Sequence, residues 1–220
     1  PAVSKADDAA ASDFRSTLRN AGFSDRLLLL LEDRFDMSLS DRALSAKDLE
    51  AFAGKLGILV KTGAEMKSGA RVAFFSDCHH DKSLAISQWI SREVFVKGAG
   101  CRVCHVEFTR PNPYLDLEVF CQAIGVEMLH YTPEASYASL GQGVCWDIPS
   151  VKDHSETDRI SKILDENKVG TRVLVQNAAY EIETIRANLR TARRLGVTHL
   201  VLTNLNQVRN VAKVWEVLIE

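Results

Sequence analysis

Hydrophobic and polar positions change rhythm near residue 70. Before that point the spacing is helical. Phe14, Leu18 and Ala21 recur on one face, and Gly22 supplies a stop. Ser24 is placed to cap a second helix through Leu27–Leu31. Ser45, with Asp48 three residues later, resembles a capping box ahead of Leu49, Phe52, Leu56 and Leu59. From residue 70 onward short apolar runs alternate with amphipathic stretches. The pattern predicts strands at 71–75, 101–108, 127–131, 143–146, 171–176 and 199–203. It predicts helices at 82–96, 114–124, 155–167, 182–195 and 208–218. Strands separated by helices of about 10–15 residues imply a parallel sheet covered on both faces. The expected architecture is α/β, an N-terminal helical bundle followed by a parallel β-sheet with helices on both faces. Its expected parts are a small, polar, disordered tail at 1–11, a helical domain at 12–68 and an α/β domain at 69–220.

Composition narrows the function classes. The 220 residues carry a formal net charge of -2 and are 46% hydrophobic. Near-balanced charge argues against a large basic surface, so no nucleic-acid partner is expected. No apolar run approaches the roughly 18–20 residues of a membrane span, and the chain does not open on a secretory h-region. Five cysteines, an odd number, read as reduced thiols, and the expected location is cytoplasmic.

Candidate chemistry gathers after the 71–75 strand. Ser76-Asp77-Cys78-His79-His80-Asp81 is a polar loop leading into Lys82-Ser83. Strand, loop and Lys-Ser at a helix start is the layout of a phosphate-binding loop, whose pattern is G-x-x-x-x-G-K-[ST]. Here Ser76 and Asp81 stand at the glycine positions. Cys78, His79, His80, Asp81 and Glu107 also offer metal-ligand atoms, but adjacent histidines rarely converge on one ion, and the polar-loop reading is preferred. Cys101-Arg102-Val103-Cys104-His105 matches C-x-x-C-H, yet it lies in a core strand where alternation points Cys101 and Cys104 to opposite faces. Trp89, Trp146 and Trp215 read as packing residues, and Arg186, Arg190, Arg193 and Arg194 as a solvated helix face. There is no G-x-S-x-G elbow and no G-x-G-x-x-G turn.

The order of these segments resembles the signal-recognition-particle GTPase family, closest to its flagellar branch. Leu18-Arg19-Asn20-Ala21-Gly22-Phe23-Ser24 is similar to the start of the family's N domain. Glu107-Phe108-Thr109-Arg110 falls where the family has D-T-x-R, and Cys121–Val126 matches the segment that follows. Val144–Ser150 falls near D-T-A-G, Gln176–Ala179 on a small-residue turn, and Leu202–Asn206 on the guanine-reading T-K-x-D. The resemblance spans roughly residues 12–220 and implies a P-loop-type G domain. It carries nucleotide-binding positions onto Lys82, Ser83, Arg110, Asp147 and Asn206, as vestiges.

The departures from the pattern imply loss of turnover. Side chains at Ser76, His79 and Asp81 would keep the backbone N–H groups from closing on a phosphate. The Asp81 carboxylate beside phosphates would cost several kcal/mol at an effective dielectric of about 20. Lys82 is expected to pair with Asp81 or Asp77 instead. Asn206 cannot take the charge-assisted pair that a carboxylate takes from guanine. No catalytic residue, cofactor or metal is therefore expected; GTP and Mg²⁺ would bind only if the nucleotide site were still competent. The resemblance implies a protein-binding relative of these GTPases, serving assembly, placement or targeting of a membrane-associated apparatus such as the flagellum, with a peripheral place at the inner face of the membrane. Its expected partner is a homologous GTPase or a second copy, met across a face carrying Asp77, His79, Arg110 and Asp147. Two alternatives stay open: a working GTP hydrolase with an unorthodox loop, and a metal-dependent site at the same sheet edge.

Overall fold

A computed structural model describes residues 14–35, 47, 50–54, 66–67, 69–108, 112–133, 137, 140, 143–151, 153–210 and 212–219. The expectations for the tail at 1–11 and for the Ser45–Asp48 capping box lie outside these residues. The described chain forms two compact units, one of them running from Gly63 to Gln207.

This larger unit is a six-stranded, all-parallel sheet in the order β3-β2-β4-β1-β5-β6. The strands are β1 (Val72–Phe75), β2 (Arg102–His105), β3 (Glu127–His130), β4 (Val144–Asp147), β5 (Thr171–Asn177) and β6 (His199–Thr203). All four residues of β1 and of β4 are buried, as strands covered on both faces must be. Side-chain alternation then builds two cores. One face carries Val72, Phe74, Val103, Cys145, Val173 and Val175 beneath α3 (His79–Ser91) and α4 (Leu115–Ile124). The other carries Ala73, Phe75, Cys104, Trp146 and Leu174 beneath α5 (His154–Glu166) and α6 (Ile182–Arg194). Each wholly buried large side chain contributes about 1.5–3 kcal/mol. Cys101 packs against the first core and Cys104 lies in the second, so the C-x-x-C-H run is a strand with its two thiols on opposite faces.

Two boundaries differ from the periodicity, for local reasons. The helix expected from Lys82 begins at His79, because the Lys82 N–H already donates to the Cys78 carbonyl at 3.1 Å. Its last turn, Arg92–Val96, is π-helical. Buried Glu93 holds that turn, taking Lys97 Nζ at 2.6 Å and the Gly69 N–H at 3.3 Å.

The second unit is helical: α1 (Phe14–Asn20), α2 (Asp25–Phe35), the helical residues 50–54, and α7 (Ala212–Ile219). Phe14, Leu18, Leu27, Leu28, Leu31 and Phe52 form its core, against which Phe23, Trp215 and Ile219 pack. The C-terminal helix thus completes the N-terminal helical core. Ser24 caps α2, its Oγ accepting the Leu27 N–H at 3.3 Å, while Glu216 accepts the Ser24 N–H at 3.2 Å. Gly22 has φ +92°, and a Cβ there would meet the Asn210 amide at 2.0 Å, so this α1–α2 corner requires glycine. No helix among the described residues is long and apolar enough to cross a membrane.

Candidate functional site

The carboxyl ends of parallel strands share one edge of the sheet, and that edge is where ligands of such folds bind. Here β1 ends at Phe75 and is followed by a loop of only three residues, Ser76–Cys78, in which Ser76 Oγ accepts the Cys78 N–H at 3.0 Å. Because α3 starts at His79, Asp81 and Lys82 sit within its first turn rather than beyond a glycine cradle. The backbone that a phosphate loop would wrap around an anion is instead wound into helix.

Lys82 is fully buried. Its Nζ lies 2.8 Å from Asp147 Oδ1 and donates to Asn112 Oδ1 at 2.9 Å and to the Ile148 carbonyl at 2.6 Å. Two of the ammonium's N–H donors are thus hydrogen-bonded, and the contact with Asp147 is an ion pair, since Asp147 Oδ1 accepts no hydrogen bond. Asp147 closes β4, in register with Phe74 of β1 on one side and His105 of β2 on the other. Its Oδ2 takes His105 Nδ1 at 2.7 Å. Burial alone would raise the Asp147 carboxyl; the Lys82 ammonium and the His105 hydrogen bond outweigh it and hold the group below the usual carboxylate range.

Asn112 knits the network together. It is fully buried, and its Nδ2 donates to the Val106 carbonyl at 3.2 Å and to Asp147 Oδ2 at 3.3 Å. Its own N–H donates to Glu107 Oε1 at 3.1 Å. The His105 ring leans on Tyr114 with centroids 4.4 Å apart and meets His130 edge-on at 5.6 Å. With Nδ1–H committed to Asp147, the buried His105 Nε2 has no hydrogen-bond partner, and Glu107 Oε1 stands 3.7 Å away.

The expected partners of Lys82 are therefore corrected. Asp81 is buried and turned the other way, its Oδ2 accepting Thr203 Oγ1 at 2.8 Å and Asn204 Nδ2 at 3.0 Å. Asp77 is exposed and accepts Asn188 Nδ2 at 3.0 Å. The reason is register: Asp147 ends level with the inner face of α3, whereas Asp81 is one helical step away, toward β6. Asp147 is also removed from the predicted contact face, since only 1% of it is exposed. Asp77 and the half-buried His79 do reach the surface, and burial followed by the nearby Lys82 charge lowers the His79 pKa. Arg110 and Pro111 lie outside the described residues. Asn206 is exposed on the short turn Leu205–Gln207, and Ser83 is buried on α3. Among the described residues no three His, Cys, Asp or Glu side chains converge as metal ligands; His80 points to Asp116 at 4.0 Å. His105 and Asn112 are the members that sequence reasoning missed. The available signal was a polar residue closing each buried strand run, Val103-Cys104-His105 beside Val144–Asp147.

No family model and no curated protein matches the chain by sequence. Solved structures do match by fold. Chloroplast FtsY from Physcomitrella patens superposes with a TM-score of 0.71 at 16% identity, over 93% of this chain and 76% of its own. FlhF complexed with GTP and Mg²⁺ gives 0.71 at 12%, over 95% and 87%. The signal recognition particle receptor FtsY from Elizabethkingia anophelis, in complex with GDP, gives 0.68 at 14%, over 99% and 77%. With its six-stranded parallel sheet and flanking helices, the chain has the fold of signal-recognition-particle-type GTPases, of the kind shared by FtsY and FlhF.

Proposed function

We propose that this chain is a pseudo-GTPase, a relative of these proteins that uses the scaffold to bind protein without turning over nucleotide. The observation that carries the reading is the commitment of fully buried Lys82, which forms an ion pair with Asp147 and donates to Asn112 and the Ile148 carbonyl. To reach a phosphate it would have to abandon a buried carboxylate, and an uncompensated buried charge costs about 3–5 kcal/mol. The helical start at His79 and the buried Asp81 carboxylate act in the same direction. By analogy of fold, the role is assembly, placement or targeting of a membrane-associated apparatus such as the flagellum, with a homologous GTPase or a second copy as partner. Vestigial positions Lys82, Ser83 and Asp147 remain, and Asp77 and His79 stay available at the surface of the same edge.

The test is calorimetric titration of the purified chain with GTP and with ATP in the presence of Mg²⁺. Dissociation constants in the high micromolar range or weaker are expected. Low-micromolar binding of either nucleotide would restore the competing reading, a GTP-binding protein with an unorthodox loop, which the retained Lys82-Ser83 pair favours.

A further inference from the structure

The Lys82 network leaves one buried polar atom unused. His105 is 1% exposed, and its Nδ1–H is held by the Asp147 carboxylate at 2.7 Å. In the neutral ring Nε2 then presents a lone pair, and no donor meets it. A carboxylate behind an imidazole, with the other nitrogen free, is the arrangement that orients metal-ligating histidines. Two further ligand groups border that nitrogen. Glu107 Oε1 stands 3.7 Å from Nε2, and the Asn112 N–H, donating to the same oxygen at 3.1 Å, orients the carboxylate. Nitrogen and oxygen ligands of one tetrahedral zinc lie about 3.3 Å apart, so the two need draw together only slightly. His130 closes β3 in register with His105 of β2, which puts both side chains on one face of the sheet's carboxyl edge. Their ring centroids are 5.6 Å apart. Two imidazoles on one tetrahedral zinc have centroids about 5 Å apart.

We propose that His105, Glu107 and His130 form a zinc site, with water as the fourth ligand. His105 and Glu107 are held in place by Asp147 and Asn112. The three groups do not converge before the ion arrives. His130 is exposed on the outer side, and turning its ring toward Nε2 completes the set. Two imidazole nitrogens and one carboxylate suit zinc and not calcium or magnesium, which take oxygen ligands. Lys82 balances Asp147, so the Glu107 carboxylate supplies the negative charge that a cation requires. The ion fastens the chain after β2 to the end of β3, beside the Lys82 network. It is independent of nucleotide, because none of its ligands is a position of the phosphate-loop pattern.

Titration of the full 220-residue chain, stripped with a chelator, with zinc chloride against a chromophoric competitor tests it. One zinc per chain with micromolar or tighter affinity is expected. Glu107→Gln and His130→Asn, both at exposed positions, should each weaken binding at least about tenfold while retaining the wild-type circular dichroism spectrum. Cys78→Ser and His80→Asn should leave it unchanged. The cobalt-loaded chain should show the visible bands of a four-coordinate ion and no thiolate-to-cobalt charge transfer. Should either ligand variant fail to fold, the other variant and the cobalt spectrum decide. A chain that takes up no zinc at micromolar concentrations overturns the proposal. So does binding that survives either ligand substitution, or a thiolate band. Binding lost with Cys78→Ser or His80→Asn instead would mark an adventitious ion only, on the loop ahead of α3, and overturns it as well.

Discussion

At the scale of single residues, the Lys82–Asp147 pair joins two charges that are both almost wholly buried, and breaking it has a signed consequence. Lys82→Met leaves a buried carboxylate, and Asp147→Asn leaves a buried ammonium, so each is expected to cost about 3–5 kcal/mol in urea unfolding. Lys82→Met combined with Asp147→Asn removes both charges and should cost clearly less than the sum of the single changes. Strictly additive costs would show that the two groups do not depend on each other. The pair also makes stability depend on pH in one direction. The Asp147 carboxyl is held below its ordinary value in the folded state. Its contribution is therefore complete above the unfolded pKa of about 3.9 and is lost as pH falls through the lowered folded value. The stability gap between wild type and Lys82→Met should accordingly be widest near neutrality and narrow below about pH 4.

At the scale of elements, the first turn of α3 decides what the sheet edge can do. Asp81 is held by Thr203 and Asn204, and it sits at a helix N-terminus, where a carboxylate is favoured. Asp81→Gly restores a residue of the phosphate-loop pattern. It is expected to lower stability by about 1–3 kcal/mol, from unpaired Thr203 and Asn204 and a helical glycine. Nucleotide binding should not return, since Lys82 stays buried against Asp147, Asn112 and the Ile148 carbonyl. Calorimetry of this variant with GTP and Mg²⁺ showing low-micromolar affinity would mean that Asp81 alone, not the helical winding, blocks the site. The same turn shows where sequence reading ends. Apolar runs such as Val72–Phe75 and spacings such as Ile86, Trp89 and Ile90 place strands and helices within a few residues, because burial requires those periods. Whether Asp77, Asp81 or Asp147 answers Lys82 depends instead on strand register and on where one helix begins. Neither is written in local periodicity, and Asn112, between two prolines in a loop, carries no periodic signal at all.

At the scale of the whole molecule, the cysteines report how the α/β unit opens. Cys104 belongs to the core under α5 and α6, whereas Cys121 and Cys145 belong to the core under α3 and α4, with Cys101 at its margin. Burial pushes the Cys101 and Cys104 thiols up to about 12 and Cys121 to about 11, and it raises Cys145 well above its ordinary value. Only the thiolate attacks a disulfide reagent, so at pH 8 Cys104, Cys121 and Cys145 are protected twice, by access and by protonation, and the half-buried Cys101 by protonation. Cys78, in the loop ahead of α3, is half-buried and outside both cores. Treatment of the native protein with an aromatic disulfide reagent should label one thiol quickly, identified as Cys78 by mass spectrometry. The three buried thiols, Cys104, Cys121 and Cys145, should follow at a single slow rate. The two cores share β1, β4 and β5, and a sheet that is the floor of both cannot shed one layer and keep the other. If Cys104 reacts much sooner than Cys145, the α5–α6 layer opens alone. If two or more of the buried thiols react in the initial burst, the inner strand β2 is loose in the native state, and the Lys82 network that ends on it does not hold the sheet edge closed.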